Sequence, residues 1–375
     1  MLKNWARIIL HALRKLLPHR VKEGLRPILA RGLKKIEKML RPEQADSVFA
    51  CASLKIQSAV KTSITHVSVV IPTKNAGPLF AEVMERIRAQ QSCCPVTITI
   101  VDSGSTDDTV VIAQKSGANV VSIDPTQFNH GLTRNLAIEN TSGEIVVLLT
   151  QDAVPGDAQL IRNLVKVFDD PLVAGVYGRQ VPRPEADVLT RRNLNRWLTG
   201  RMKPEVSFIS DLSSYCSMTP YERYQFCNFD NVCSAIRRSV WKEIPFQANE
   251  FAEDLDWSKR VLEAGWKIAY EPTAFVVHSH DRSVSYEYKR TYLCHRKLYN
   301  LFRFRVARSW VELTFFVVIP SIWWDWTYAA KHETDFRKCL YLWIKAPIFN
   351  SAIAYARYSG AKDEKLLRER KIEGV

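Results

Sequence analysis

The sequence predicts an α/β fold: a mixed sheet with helices on both faces, flanked by helical N- and C-terminal extensions. Three observations predict it. Between His66 and Arg282, short apolar runs of strand length alternate with segments of helical period. The runs are dominated by Val, Ile and Leu, with Ser and Thr as their polar residues, as strands buried on both faces favour. Finally, 46% apolar against 25% charged residues over 375 positions suffices for a large core and excludes a disordered or fibrous chain. The predicted division is a basic helical extension at 1–64, the α/β domain at 65–283 and an aromatic-rich helical region at 284–375.

The elements follow in order. Val67 to Ile71 (VSVVI) is the first strand, and Leu79 to Gln90 a helix with Leu79, Val83, Met84 and Ile87 on one stripe. Val96 to Val101 (VTITIV) is the second strand. Thr106 to Ser116 follows as a helix capped by Ser105 and Thr106, with acids in its first turn. Val120 to Ile123 is the third strand, Leu132 to Asn140 a helix behind Gly131, and Ile145 to Leu149 (IVVLL) the fourth strand. Residues 183–226, with Arg191, Arg192, Arg196 and Arg201 among many Ser and Tyr, read as a mobile segment that orders over a bound nucleotide. A helix opens at Glu253 with Leu255, Val261 and Leu262 inward, and a late strand ends at Ala274 to Val277.

Charge sits in the flanks. The net +14 is concentrated in residues 1–41, with 12 Lys and Arg against Glu23 and Glu37, and in 282–310, with 8 against Glu287. The rest carries a small net negative charge, which argues for an anionic lipid surface and against nucleic acid. Arg7, His11, Arg14 and Lys15 interrupt the first apolar stretch, so it is not a signal peptide. It reads instead as two basic amphipathic helices, one with Ile8, Ile9, Leu13, Leu16 and Leu17, the other running from Leu25 to Leu40. Leu313 to Trp324 (LTFFVVIPSIWW) falls short of the roughly 20 residues a bilayer span needs. Trp323, Trp324, Trp326 and Tyr328 suit a headgroup interface. These features predict peripheral or monotopic attachment at the cytoplasmic face of a membrane, the alternative being that both flanks pack on the domain. Eight cysteines without metal or disulfide spacing read as reduced thiols.

Open sheets of this kind bind ligands at the carboxyl ends of their strands. Three such edges carry polar residues: Pro72-Thr73-Lys74-Asn75, Asp102 to Asp107, and Thr150-Gln151-Asp152. With Ser105 and Thr106 assigned to the cap, Asp102 is left to accept from a nucleobase imide or a ribose hydroxyl. Asp152 reads as a metal ligand beside a phosphate. Neither the glycine-rich dinucleotide fingerprint nor the P-loop motif is present.

Taken in order, VVIPTKN, IVDSGSTDDT, FNHGLTRNLA, LLTQDAVP, the AEDLDW run at Ala252–Trp257 and a terminal His resemble the family 2 inverting glycosyltransferases of GT-A fold, over about residues 66–282. FNHGLTRN and TQDAVP resemble their bacterial rhamnosyltransferase branch. The resemblance implies that Asp102 holds the nucleobase of a nucleotide sugar, with Pro72, Thr73, Lys74 and Ser105 around the nucleoside. Arg134 would approach the diphosphate, while His130 and Gly131 shape their loop. Asp152 matches the last acid of the D-x-D signature, with Thr150 and Gln151 in place of the other acids, and would bind a divalent cation, Mg²⁺ or Mn²⁺. A second ligand would be His278 or its neighbour His280. Asp254 would be the catalytic base, its pKa raised by the crowding of Glu253 and Asp256. Glu253, Asn231 and Arg237 would lie on the acceptor side, and Trp257, Trp266 and Tyr270 would stack on sugar or fill the core. The implied reaction moves L-rhamnose from dTDP-L-rhamnose to a lipid-linked or polysaccharide acceptor. The rivals are a UDP-hexose transferase of the same fold and a noncatalytic scaffold.

Overall fold

A computed structural model describes residues 64–249, 251–280 and 282–372. The expected basic helices of residues 1–41, and the first extension up to residue 63, lie outside the described residues. The centre is a nine-stranded sheet. Strands β1 (Val67–Thr73), β2 (Val96–Asp102), β3 (Asn119–Ser122) and β4 (Ile145–Leu149) form a parallel block in the order β3-β2-β1-β4. Helices α1 (Leu79–Arg88), α2 (Thr109–Lys115) and α3 (His130–Glu139) alternate with these strands. Beyond β4 the order continues through β8 (Cys233–Arg237), β6 (Val173–Val181), β9 (Lys267–Val277) and the short β5 (Val154–Pro155); β7 (Glu205–Ser207) pairs with β9 off this path. β8 runs antiparallel to both β4 and β6, whereas β6 and β9 are parallel. The sheet is therefore mixed, as predicted.

The continuous apolar runs have the expected cause. Val67, Val69 and Ile71 of β1 enter one core with Phe80, Val83, Met84 and Ile87 of α1, while Val70 enters a second core with Ile138, Trp241, Trp257 and Leu262. Successive residues of a strand face opposite sides, so burial of both leaves room for small polar residues such as Ser68, whose hydroxyl is hydrogen-bonded with that of Thr97, and otherwise for apolar ones. The aromatics offered as sugar platforms belong to this packing: Trp257 is fully buried, Trp266 packs against the second core, and Tyr270 is buried within it.

Two helix starts differ from expectation. α2 begins at Thr109, with Asp107 Oδ1 accepting from the Thr109 N–H at 3.1 Å, because Ser105 and Thr106 are engaged elsewhere. α3 begins at His130, where the Asn129 side chain accepts from the N–H groups of Gly131 and Leu132. Gly131 is required there, since a Cβ would lie 2.0 Å from the Gln247 carbonyl oxygen.

Residues 183–226 are not a bare loop. They contain α5 (Val188–Arg196), β7, α6 (Leu212–Ser217) and α7 (Pro220–Phe226); α4 (Leu160–Val165) precedes them, and α8 (Arg238–Glu243) and α9 (Glu253–Glu263) follow. Arg192, Arg196 and Arg201 serve packing rather than nucleotide. Arg192 forms a buried ion pair with Asp325, Arg196 lies over the Trp324 ring at 5.1 Å, and Arg201 pairs with Glu205.

The C-terminal region consists of α10 (Val284–Phe302), α11 (Trp310–Leu313) running through one π-helical turn into α12 (Ile319–His332), and α13 (Phe336–Ile372). Pro320 occupies the first turn of α12, where a missing N–H is harmless, so it does not break the rod. α12 and α13 form an antiparallel hairpin. Trp326 and Trp343 exchange indole-to-carbonyl hydrogen bonds, and Asn350 donates to Asp325 at 2.7 Å. Phe302 of α10 lies in the second core, so part of this region packs on the domain. Among the described residues no helix is long and apolar enough to cross a membrane.

Candidate active site

The β1–β2 register sets Thr73 beside Asp102 at the carboxyl edge of the sheet. There the expectation of a free Asp102 carboxylate fails. Its Oδ1 accepts from the hydroxyls of Thr73, at 3.0 Å, and Ser105; its Oδ2 accepts from the N–H groups of Gly104, at 3.1 Å, and Ser105, at 2.8 Å. Asp102 is 2% exposed, and four donors saturate a carboxylate. It braces the β2 turn, as does Ser105, whose hydroxyl also accepts from the Asn75 N–H at 2.8 Å. Pro72 is partly buried and Thr73 buried, which leaves the exposed Lys74 as the open side chain of the β1 edge.

Gln151 explains the departure from an acidic triplet. Its Oε1 accepts from the Lys74 N–H at 2.8 Å and its Nε2 donates to the Lys74 carbonyl at 3.2 Å, tying the β1 and β4 edges together. A carboxylate could accept but not donate there.

Asp152, next in sequence, faces two imidazoles. His278 Nε2 is 3.5 Å from Asp152 Oδ1 and His280 Nε2 is 3.3 Å from Oδ2. Residues 278 and 280 lie just beyond β9, which pairs with β6 up to Val181 and Val277. The alternation of an extended chain sends both rings the same way, 4.5 Å apart and perpendicular. One donor atom from each of the three residues lies within 4.8 Å of the others. One carboxylate and two imidazoles fit a divalent cation. Burial, then the neighbouring His278 and Arg282, push His280 down to about 4, so it is neutral and able to ligate at neutral pH. Burial alone would raise Asp152, but the hydrogen bond and charge of His278, with His280, hold it well below the usual carboxylate range. Arg183, which sequence reasoning missed, donates to the Asp152 carbonyl at 3.1 Å, and its Nε has no protein partner.

The acids that open α9 form the other side. Asp254 Oδ2 accepts from the Asn231 N–H at 3.2 Å and Oδ1 from the Leu255 N–H at 2.7 Å. Its carboxyl is raised well above the ordinary range by burial, then by the charges of Glu253 and Asp230. Ala252, the residue before α9, is left-handed at φ 54°, which turns the chain into the helix.

Three expected contact residues turn inward. Arg134 Nη1 pairs with Glu253 Oε1 at 2.8 Å, both side chains being buried, so Arg134 does not point at a diphosphate and Glu253 does not face an acceptor. Burial would raise Glu253, but the Arg134 guanidinium, with His130, keeps it below its ordinary value. Asn231, 2% exposed, donates to Glu253 at 3.1 Å and accepts from Ser234 at 3.0 Å. It positions Asp254 through its backbone rather than meeting substrate. His130 packs between Phe128 and Phe251, and burial lowers its pKa. Arg237 is misplaced altogether. It pairs in register with Ile145, at the end of β4 remote from Leu149, and donates to the carbonyls of Val173, Phe168 and Asp170.

The residues brought together at the carboxyl edge are thus Lys74, Asp152, His278 and His280, with Asp254 reached through the Asp230–Asn231 turn. The signature of Glycosyl transferase family 2 matches residues 68–244. The O-antigen chain rhamnosyltransferase RfbN of Salmonella typhimurium is 36% identical over 60% of this chain and 69% of its own length. The chain belongs to glycosyltransferase family 2. A second member, the O-antigen chain rhamnosyltransferase WbaN of Salmonella anatum, is 33% identical over 60% of this chain and 69% of its own. A solved mannosyltransferase from Pyrobaculum calidifontis, in complex with GDP-Man and Mn²⁺, shares the fold with a TM-score of 0.51, at 18% identity over 82% of this chain and 88% of that one. This family 2 enzyme is accordingly a nucleotide-sugar-dependent glycosyltransferase of GT-A fold.

Proposed function

We propose that this enzyme transfers L-rhamnose from dTDP-L-rhamnose, with inversion, to a lipid-linked or polysaccharide acceptor in surface polysaccharide synthesis. The observation that carries the sugar is the 36% identity to an O-antigen chain rhamnosyltransferase over 230 residues. In the reaction, an acceptor hydroxyl attacks the anomeric carbon while the bond from that carbon to the diphosphate oxygen breaks on the opposite face. Asp254 takes the hydroxyl proton as the new bond forms, a role worth about 10²–10⁴-fold. Its raised pKa suits it to hold that proton. Asp152, His278 and His280 would hold a divalent cation, which compensates the charge of the departing diphosphate. Imidazole donors suit Mn²⁺ better than Mg²⁺, which prefers oxygen. Arg183 and Lys74 replace Arg134 as the cationic groups nearest the diphosphate, because Arg134 is committed to Glu253.

The same reading places the enzyme on the cytoplasmic face of a membrane. Val311, Phe315, Ile319 and Trp323 recur every four residues along α11 and α12, and Phe336, Leu340, Ile344 and Ile348 along α13. All eight are exposed, Phe336 to 78%. Exposed apolar faces of this extent mark interaction surfaces, and indole rings favour headgroup depth. Arg303, Arg305 and Arg308 precede the first stripe, while Lys331, Arg337 and Lys338 flank the hairpin turn, which suits anionic lipid.

A donor panel tests the sugar. With an acceptor extract, release of dTDP from dTDP-L-rhamnose well above release of UDP from UDP-hexoses is expected; turnover of UDP-hexose alone would replace the rhamnose assignment.

A further inference from the structure

The cation ligands rest on a second group of residues that the reaction itself does not use. Gln180 stands on β6 opposite Val276 of β9, two positions before His278, and is 6% exposed. Its Nε2 donates to Asp230 Oδ2 at 2.8 Å, and its Oε1 lies 3.0 Å from His278 Nδ1. The other oxygen of Asp230 accepts from the Val232 N–H at 2.9 Å. Both Asp230 oxygens accept from N–H groups, so the amide nitrogen of Gln180 faces Asp230 and its oxygen faces the imidazole. An amide oxygen only accepts, which puts a proton on Nδ1. Nε2, the atom that faces Asp152, is the one left to meet a cation.

We infer that Gln180, oriented by Asp230, is a positioning residue that fixes the ring orientation and tautomer of His278 for cation binding. The inference rests on reading Asp152, His278 and His280 as the cation site. It goes beyond that reading by joining the cation side to the base side. Asp230 holds Gln180, and the next residue, Asn231, holds Asp254 through its N–H. One two-residue turn between α7 and β8 thereby sets the spacing of the two halves of the site.

The test measures Mn²⁺ binding to the full-length chain with dTDP present, from the electron paramagnetic resonance signal of free Mn²⁺. Gln180→Leu removes the acceptor and is expected to weaken Mn²⁺ binding about 10–100-fold, the usual cost of losing an outer-shell partner. Its affinity for dTDP without Mn²⁺ should be unchanged. Gln180→Glu combined with Asp230→Asn exchanges amide and carboxylate, so that an acceptor for the Nδ1 proton is kept without two carboxylates facing each other, and should recover most of the lost affinity. Equal Mn²⁺ affinity in wild type and Gln180→Leu overturns the inference while leaving the cation site standing, and equal losses in both variants overturn it in favour of a packing role. Wild type that takes up no Mn²⁺ removes the cation reading and the inference with it. A measurement on wild type does not depend on any variant folding: long-range ¹H–¹⁵N correlation should show His278 protonated on Nδ1, and an Nδ1 without a proton contradicts the inference.

Discussion

Arg134 and Glu253 meet at 2.8 Å with both side chains buried, so the guanidinium that the sequence offered to a diphosphate is instead the counter-charge of the acid next to the base. The pair fixes the first turn of α9 against α3. Glu253→Gln leaves Arg134 charged, buried and without its carboxylate, and truncating one partner of such a pair costs about 3–5 kcal/mol. Urea unfolding of Glu253→Gln is expected to show a loss of that size. A variant as stable as wild type would mean that the pair is solvated in solution.

Asp254 makes a paired prediction about pH. Its folded pKa lies above its unfolded one, so the folded state binds more protons between the two values. The group therefore costs stability once the pH exceeds the unfolded value, about 3.9, and the cost grows until the folded pKa is passed. Asp254→Asn should raise the urea midpoint at neutral pH, the gain vanishing as the pH falls below the ordinary carboxylate range. In wild type, kcat/KM should decline on acidification at a pH above that range, as a base holding its proton tightly requires. A decline set by an ordinary carboxylate pKa would place the base elsewhere.

How much of this was legible in the sequence depended on whether a residue's neighbours lay close along the chain. VSVVI, VTITIV and IVVLL were readable as strands because double-sided burial leaves its mark in consecutive residues. The strand ends then placed Asp152, and the register of β9 placed both histidines. Arg134 and Arg237 were misread because what satisfies them comes from distant parts of the chain, Glu253 and the Phe168–Val173 connection; Asp102 was misread because Ser105, close to it in the chain, was assigned to the helix cap when it donates to Asp102 with Gly104 and Thr73. Gln180 gave no signal at all, since a glutamine near the end of a strand looks like any solvated edge position. The flanking aromatic segment was recognisable, but not the second stripe on α13, which only the hairpin brings alongside it.

The cation site gives a direct depletion experiment. Treatment with EDTA should abolish transfer and Mn²⁺ should restore it. Asp152→Asn should weaken Mn²⁺ binding and lower turnover, with some loss of melting temperature at neutral pH, because the carboxylate held low by His278 and His280 contributes stability there. Full activity in EDTA would assign charge compensation to Arg183 and Lys74 alone.

The exposed hairpin faces predict lipid binding. Phe315→Ser combined with Ile344→Ser should reduce co-sedimentation with phosphatidylglycerol vesicles, while both proteins remain monomeric and equally stable. A wild-type dimer that the double variant dissolves, with no vesicle binding by either, would assign the faces to self-association.

The central claim is that Asp254 removes the proton of the incoming hydroxyl. Steady-state rhamnosyl transfer by Asp254→Asn, measured beside calorimetric titration of dTDP, tests it most directly. The account predicts kcat lower by at least about 10²–10⁴-fold, with dTDP affinity retained. A variant that turns over at the wild-type rate would contradict it.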